Sequence, residues 1–169
     1  MSNYSIFSVI GIEIEYMLVD KTTLNIRPIS DVLLKELAGQ QVNEIVIDDI
    51  AVSNELVMHV LELKNNGPSK IGPRMTEPFQ KTIKALQPLL DKHDLLLLPT
   101  GAHPWMNPLQ ETQRWPHGNR ELYQQFDAIF DCRGHGWSNL QSMHVNLPYS
   151  NQDEFCQLHN LIRLILQWI

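Results

Sequence analysis

The sequence predicts an α+β fold, in which strands and helices follow one another in mixed order and several neighbouring strands form antiparallel hairpins. Residues 6–19 indicate a strand, because acidic and apolar side chains alternate from Ile12 to Tyr16. Residues 76–93 indicate a helix, because apolar side chains recur every three or four positions. With 169 residues, 43% of them hydrophobic, the chain can bury a core, and its length predicts one domain over residues 1–169.

The other elements are predicted from apolar runs and from the residues that bound them. Further strands are expected at residues 24–27, 43–50, 55–64, 95–98 and 140–147, and further helices at residues 31–38, 120–130 and 153–169. Ser30 is a candidate N-cap for the helix that Gly39 follows. Thr76 is the candidate N-cap of the next helix, which Pro88 should kink or shorten. Residues 99–118 form a long loop, and such loops are often functional.

Composition and charge narrow the classes of partner and compartment. The net charge of −6 and the pI of about 5.6 argue against nucleic acid as the main partner. No apolar run is long enough to span a membrane, and the N-terminus lacks the basic segment of a signal peptide. Cys132 and Cys156 have neither metal-ligand spacing nor the density of a disulfide framework, so we expect reduced thiols and a cytoplasmic location.

Glu13 and Glu15 are the first candidates for a functional site. They lie two residues apart, so on a strand both side chains point to one face. Two carboxylates on one face repel each other unless a cation lies between them. The alternative is an acidic face that simply meets solvent, as in many half-buried antiparallel strands.

Glu55 and Glu62 add two carboxylates within an apolar stretch. A buried Glu62 needs a partner, either a metal ion or a salt bridge to Lys64 or an arginine. Seven residues separate the two acids, so on one regular strand they face opposite ways. Both can serve one site only through a bulge, or if Glu55 precedes the strand proper. Glutamate oxygens without a thiolate suit Mg²⁺ or Mn²⁺ better than zinc.

Two further segments contain polar residues of interest. His144 and Asn146 share a strand face with Ser142, although a histidine between two apolar neighbours is more often packed than functional. His103 follows a glycine turn after a buried strand, where site residues often lie. The chain has no Walker loop and no Gly-x-Gly-x-x-Gly motif, so ATP would have to be held through metal ions and arginines.

Four short motifs occur in an order typical of one protein family. They are Gly-Ile-Glu-Ile-Glu-Tyr at residues 11–16, Glu-Leu-Val-Met-His-Val-Leu-Glu at 55–62, Pro-Thr-Gly-Ala-His-Pro at 99–104 and Gln-Ser-Met-His-Val-Asn at 141–146. Each motif alone is weak, but together they make the chain resemble the N-terminal half of a glutamate–cysteine ligase of family 2, the bacterial carboxylate–amine ligase branch.

The resemblance implies a glutamine-synthetase-like catalytic fold, a curved antiparallel sheet whose concave face holds ATP and Mg²⁺ or Mn²⁺. It also implies a ligase reaction: a carboxylate, such as that of glutamate, attacks ATP to give an acyl phosphate, and an amine, such as that of cysteine, displaces phosphate. By the same resemblance the metal ligands would be Glu13, Glu15, Glu55, Glu62 and His144, with Glu13 and His144 also catalytic, and the nucleotide or substrate contacts would be His103, Arg120 and Asn146.

The last predicted helix is apolar almost all round, so it is expected to be buried on several sides. Family members continue well beyond the His144 strand, which predicts a truncated product, a domain, or one half of a split protein. The expected partner is then the missing C-terminal half or another copy of the chain. Two alternatives stay open: a non-catalytic remnant that binds metal or nucleotide weakly or self-associates, and a metal-dependent phosphate-ester hydrolase.

Overall fold

A computed structural model describes residues 4–168 and places six strands in one antiparallel sheet. The strands are β1 (Gly11–Asp20), β2 (Glu44–Ile47), β3 (Ile50–Asn54), β4 (Val60–Asn65), β5 (Leu95–Leu98) and β6 (Met143–Asn146). The helices are α1 (Ser30–Ala38), α2 (Glu77–Lys92), α3 (Pro108–Glu111), α4 (Arg120–Phe130) and α5 (Gln152–Ile165). The predicted antiparallel sheet with flanking helices is confirmed, whereas the glutamine-synthetase-like arrangement and the single domain over residues 1–169 stay predictions.

The central strand of the sheet is β1, in the order β2-β3-β4-β1-β5. One edge of β1 pairs with β4. The other edge pairs with β6 over Gly11–Ile14 and with β5 over Met17–Asp20. Because β1 is ten residues long, two short strands fit end to end along one edge. The first half of β1 therefore lies between β4 and β6, which brings side chains from distant parts of the sequence into one row.

The two faces of the sheet differ in polarity because side chains alternate along each strand. One face is apolar and packs against α1 and α2. Its buried core consists of Leu18, Leu33, Leu34, Ile50, Val52, Leu61, Leu63, Phe79, Leu86, Leu90, Leu95 and Trp115. Burying each such side chain contributes about 1.5–3 kcal/mol, so this core holds the strands in register. The opposite face carries Glu13 and Glu15, whose strand neighbours Ile12 and Ile14 pack on the core side.

Several strand predictions differ from the structure, and the strand predicted at residues 6–19 begins only at Gly11. Residues 24–27 are not a strand and contribute one isolated bridge, between Val19 and Ile26. Residues 43–50 do not form one strand, because the chain turns at Asp48, which has a positive φ of 53°, and then begins β3. Residues 55–59 are outside any strand, so the predicted strand at 55–64 is reduced to its second half. For residues 43–50, the missed signal was the pair of consecutive aspartates, because aspartate is typical of turns.

The helix predictions are correct in position and partly wrong in their caps. Gly39 ends α1 with a φ of 73°, as expected for a left-handed C-terminal residue. Ser30 is not the N-cap, because it lies inside α1, and its hydroxyl is buried without a partner among the described residues. Thr76 is at the N-cap position of α2 but makes no side-chain cap hydrogen bond. Pro88 does not end α2; it and Lys84 are exposed, so the carbonyl that proline leaves unbonded lies on the solvent side.

Apolar side chains of α4 and α5 remain exposed. Ile129 on α4 and Leu164 on α5 are 70% and 60% exposed, and Leu158 is the one residue of Gln152–Ile165 that is buried. The predicted end of α5, Ile169, lies outside the described residues. The expectation that another segment or another copy covers this surface stays a prediction. Within residues 4–168, none of the helices combines the length and apolar character needed to cross a membrane.

Candidate metal centre

Cross-strand pairing brings the predicted acids together on the face of the sheet opposite the helical core. Glu15 on β1 lies directly opposite Glu62 on β4. In the next row, Glu13 has Lys64 of β4 on one side and His144 of β6 on the other. Residues directly opposite each other in antiparallel strands project from the same face. Two adjacent rows of charged side chains therefore lie side by side.

The five predicted metal ligands form two groups that share Glu62. Ligand atoms of Glu13, Glu62 and His144 lie within 4.8 Å of one another, and so do those of Glu15, Glu55 and Glu62. Carboxylate oxygens with one imidazole nitrogen are donors that suit Mg²⁺ or Mn²⁺. The structure thus brings together all five residues, and their role as ligands stays a prediction.

Glu55 reaches this cluster because it lies in the connection between two strands. β3 ends at Asn54 and β4 begins at Val60, so the side chain of Glu55 is not bound by the alternation along either strand. The Glu55 carboxylate accepts a hydrogen bond from the N–H of Leu56 at 3.0 Å. Of the two explanations for the seven-residue spacing, the one in which Glu55 precedes the strand is correct.

Two β6 side chains orient the carboxylate of Glu13. Asn146 donates its amide N–H to Oε1 at 2.8 Å, and Nδ1 of His144 lies 3.2 Å from Oε2. Gly11 lies opposite Asn146, and a β-carbon at position 11 would be 3.3 Å from the Asn146 β-carbon. Glycine therefore leaves room for the amide that holds Glu13. Asn146 therefore contacts a predicted metal ligand directly, and its own predicted nucleotide or substrate contact stays a prediction.

Burial raises the pKa of two of the carboxyl groups. Burial raises the pKa of Glu15, although the N–H of Ser142 donates to its Oε2 at 2.7 Å and opposes the change. Burial, and then the nearby charge of Glu62, raise the pKa of Glu55 to about 7. A raised carboxyl pKa means that the charged form lacks sufficient cationic or hydrogen-bonding partners. A bound divalent cation would supply such a partner.

Lys64 supplies the one lysine ammonium on this face among the described residues. Its Nζ lies 2.8 Å from Glu62 Oε2, 3.1 Å from Glu44 Oε2 and 3.1 Å from Ser53 Oγ. Burial lowers the pKa of Lys64, but the hydrogen bonds to Glu62 and Glu44 outweigh burial, and the pKa is raised. The predicted alternative of a Glu62–Lys64 salt bridge is therefore confirmed. One lysine does not balance the remaining acids of the cluster, so the bridge and a metal ion are compatible.

Two cavities flank the acids. One, of about 290 Å³, is lined on its polar side by Glu15, Glu55 and Ser142 and on its aromatic side by Tyr123, Phe126 and Trp137. The other, of about 280 Å³, is lined by Gly11, Glu13, Lys64 and Asn146, among others. Each group of candidate ligands therefore adjoins a space that a small molecule can enter.

His103 is buried and hydrogen-bonded within the loop that contains it, and its predicted nucleotide or substrate contact stays a prediction. It is buried, and its Nε2 donates to the carbonyl of Leu24 at 2.7 Å while Nδ1 accepts from the N–H of Met106 at 3.1 Å. Its backbone N–H donates to Asn139 at 2.7 Å. Both ring nitrogens are thus occupied by the backbone. The glycine turn that marked His103 as functional reflects a tightly bonded loop.

Arg120 is the first residue of α4 and lies in a different groove from the acids. That groove, of about 280 Å³, also contains Arg114 and Arg133. Tyr123, one turn further along α4, lines both this groove and the 290 Å³ cavity beside Glu55. Arg120 therefore lines neither of the two cavities that contain the acids, and its predicted nucleotide or substrate contact stays a prediction.

Sequence reasoning missed Tyr123 and Ser53 as members of the site. The hydroxyl of Ser53 donates to Glu62 Oε2 at 2.9 Å, and Asn54 donates its amide N–H to the hydroxyl of Tyr123 at 3.1 Å. A serine inside an apolar strand was an available signal, because a buried hydroxyl needs a partner. Tyr123 had no comparable signal, since its position depends on how α4 packs.

The chain is similar to known proteins over nearly its whole length. The family model of glutamate–cysteine ligase family 2 matches residues 9–168. An uncharacterized protein of Archaeoglobus fulgidus is 37% identical over 160 residues, which are 95% of this chain and 43% of the archaeal protein. The chain therefore spans less than half the length of that relative.

Proposed function

The chain belongs to glutamate–cysteine ligase family 2, and from this premise we propose that it carries the metal- and nucleotide-binding face of an ATP-dependent carboxylate–amine ligase. The observation that carries the proposal is the clustering of four glutamates and one histidine, in two overlapping groups whose ligand atoms lie within 4.8 Å. Carboxylates this close together repel one another, and a bound cation would offset that repulsion.

The donor set fits a hard divalent cation. Glu13, Glu62 and His144 would hold one ion, and Glu15, Glu55 and Glu62 would hold a second. Carboxylate oxygens favour Mg²⁺ or Mn²⁺, and no thiolate is in either group. When bound, such ions neutralise phosphate charge and orient the γ-phosphate of ATP.

The chain's own residues prepare this face by fixing the carboxylates. Asn146 holds one oxygen of Glu13, the N–H of Ser142 holds one of Glu15, and the N–H of Leu56 holds one of Glu55. The bonds to Glu15 and Glu55 each leave the second carboxylate oxygen for a ligand, whereas Glu13 Oε2 lies 3.2 Å from Nδ1 of His144, the other end of its candidate ligand group. Groups that orient metal ligands in this way commonly affect metal affinity tenfold to about a hundredfold.

We propose the reaction of the family for the complete enzyme. A substrate carboxylate oxygen attacks the γ-phosphorus of ATP, so that ADP leaves and an acyl phosphate forms. An amine then attacks the acyl carbon, inorganic phosphate leaves, and an amide bond forms. A glutamate-like carboxylate and an amine such as that of cysteine are the proposed substrates. The acids serve the first step, in which two anions approach each other.

Calorimetric titration with a non-hydrolysable ATP analogue, with and without Mg²⁺, tests the proposal. We expect binding that requires Mg²⁺ and that weakens roughly tenfold or more in Glu13→Gln and Glu62→Gln. Glu77→Gln is the control, because Glu77 is exposed at the start of α2, away from the cluster. Folded variants that keep their binding, or natural chain that binds the analogue equally without Mg²⁺, would refute the proposal.

A metal-dependent phosphate-ester hydrolase is the second candidate, because the same acid cluster suits it. The two activities differ in their substrates. ATP turnover that requires an added amino acid identifies a ligase, whereas turnover without one identifies a hydrolase. Mg²⁺-dependent ATP binding with no turnover under either condition would leave the chain as a binding module.

A further inference from the structure

We infer that Asn139 is a positioning residue of the acid cluster, because its buried side chain sets the register in which β6 pairs with β1. That register decides whether His144 and Asn146 project beside Glu13 or from the opposite face, since a shift by one residue reverses every side chain of a strand. The part of the inference that concerns metal binding rests on the proposed function.

The strand β6 does not fix its own register. It is four residues long, it pairs with β1 alone among the described residues, and all four of its side chains are exposed. The register of a strand is normally fixed by burying one of its faces. Met143 and Val145, on the core side of β6, are 69% and 50% exposed, so burial favours neither register strongly. The register therefore depends on contacts outside β6.

The strongest of these contacts joins the segment before β6 to the loop that contains His103. Asn139 is 1% exposed, and its side chain bonds to the backbone of His103 in both directions. Oδ1 accepts from the His103 N–H at 2.7 Å, and Nδ2 donates to the His103 carbonyl at 2.9 Å. The ring of His103 is itself bonded to the backbone of Leu24 and Met106. Asn139 is thus attached to a fixed point by a bond pair that uses both its donor and its acceptor.

The attachment is carried to β6 by residues 140–142. The N–H of Gln141 donates to the carbonyl of Gly101 at 3.0 Å. Ser142 then exchanges two bonds with Glu15: its N–H donates to Oε2 at 2.7 Å, and its carbonyl accepts from the Glu15 N–H at 3.0 Å. A shift of β6 by one residue would pull Asn139 away from His103 and leave buried polar groups unpaired, which is unfavourable.

His59 contacts the same segment but is less selective. Its Nε2 donates to the carbonyl of Ser138 at 2.8 Å. Every residue of the segment has such a carbonyl, so this bond does not distinguish one register from the next. The carboxamide of Asn139 is buried at one position only, so the identity of residue 139 determines the register.

Nuclear magnetic resonance of the isotope-labelled, metal-free chain tests the register directly. Backbone Overhauser contacts between Glu13 and His144 report the pairing of β1 with β6. In Asn139→Ala we expect these contacts to be lost, while the contacts between β1 and β4 remain. Asn139→Asp keeps the acceptor for the His103 N–H and loses the donor, so it should retain part of the contacts. The aspartate variant provides the test if the alanine variant does not fold.

Titration of the same proteins with Mn²⁺ connects the register to the metal site. The Kd should rise roughly tenfold or more in Asn139→Ala and less in Asn139→Asp, because the β6 side chains no longer face Glu13. His103→Phe is the matched control. It loses the ring bonds to Leu24 and Met106 but keeps the backbone groups that Asn139 uses, so the strand contacts and the Kd should both stay unchanged.

Three results would overturn the inference. These are unchanged β1–β6 contacts in folded Asn139→Ala, an equal loss of those contacts in His103→Phe, and lost contacts with an unchanged Mn²⁺ Kd. The second result would mean that any weakening of the loop releases β6. Absence of Mn²⁺ binding by the natural chain would refute the proposed function instead, and the metal-free spectra would still decide whether Asn139 sets the register.

Discussion

Glu15 and Glu62 lie directly opposite each other on β1 and β4, so two carboxylates share one face at the middle of the sheet. Like charges in such a pair destabilise the sheet unless a cation lies nearby. Glu62 is 5% exposed, so solvent screens the pair poorly. In the described structure Lys64 provides part of the compensation for Glu62, whereas Glu15 has the N–H of Ser142 and the nearby His144 but no lysine or arginine partner. This unequal compensation underlies the predictions that follow.

Lys64→Met should destabilise the protein in a way that Mg²⁺ reverses. Removing Nζ leaves Glu62 buried without its cationic partner. We expect the free energy of unfolding to fall by about 2–3 kcal/mol. This is less than for a fully buried pair, because Lys64 is partly exposed. Saturating Mg²⁺ should restore more unfolding free energy to the variant than to the natural chain. Urea denaturation with and without Mg²⁺ measures both quantities.

Lys81→Met is the control for that experiment, because Lys81 pairs with Asp48 at an exposed position. The variant should lose little unfolding free energy, because solvent screens the exposed pair, and the loss should not depend on Mg²⁺. Equal losses in the two variants would mean that Lys64 is an ordinary surface residue.

Glu55 should make the metal-free protein less stable as the pH rises. Its pKa is about 7 in the folded chain and near 4.5 in the unfolded chain, so between these values the folded state holds a proton that the unfolded state has released. The stabilising effect is complete below pH 4.5 and is lost as the pH rises through 7. The total change is on the order of 3 kcal/mol.

Glu55→Gln removes this titration, so the unfolding free energy should change less with pH between pH 5 and 8. Chemical denaturation of the metal-free chain and the variant at several pH values gives the comparison. A stability profile of the same slope in both proteins would show that Glu55 does not titrate in this range.

His103→Phe should destabilise the loop without changing ATP-analogue binding. The substitution keeps the ring and removes the bonds to Leu24 and Met106, which should cost about 1–3 kcal/mol. His159→Phe, at an exposed position of α5, should change stability by less than about 0.5 kcal/mol. Stability is measured by urea denaturation and binding by calorimetry. A weakened affinity in a stable His103 variant would instead support the predicted ligand contact.

Leu63→Ala and Leu166→Ala should differ sharply in their effects on stability. Leu63 is fully buried in the core beneath the acid face, so its truncation should cost about 2–5 kcal/mol. Leu166 is 65% exposed, so its truncation should cost under about 0.5 kcal/mol in dilute monomer. Thermal unfolding compares the two. A comparable loss for Leu166 would mean that another surface covers it in solution.

The fold was predictable where periodicity and core burial coincide. The alternation in β1 and the apolar stripe of α2 correctly gave a strand and a helix, because each buries one face on the same core. Strand ends were less predictable. β3 begins after a turn at Asp48, and the apolar residues on both sides of that turn made the segment resemble one continuous strand. The exposed apolar side chains of α4 and α5 could not be distinguished from buried ones by sequence, because the pattern does not say what covers a face.

The candidate site was predictable to the extent that it follows strand alternation. Glu13 and Glu15 share a face for that reason, and the motif order brought in Glu62 and His144. The bonds that the His103 ring makes were not predictable, because a glycine turn is equally typical of a functional loop and of a tightly bonded structural one.

Titration with Mn²⁺ is the measurement that tests the central claim most directly, since that claim is that the acid face binds divalent cations. We expect saturable Mn²⁺ binding by the natural chain, weakened roughly tenfold or more in Glu62→Gln, which belongs to both ligand groups, and unchanged in Glu77→Gln. Absence of saturable binding by the folded chain, or equal affinity in Glu62→Gln, would contradict the account and leave the acids as a face stabilised by Lys64 and by hydrogen bonds.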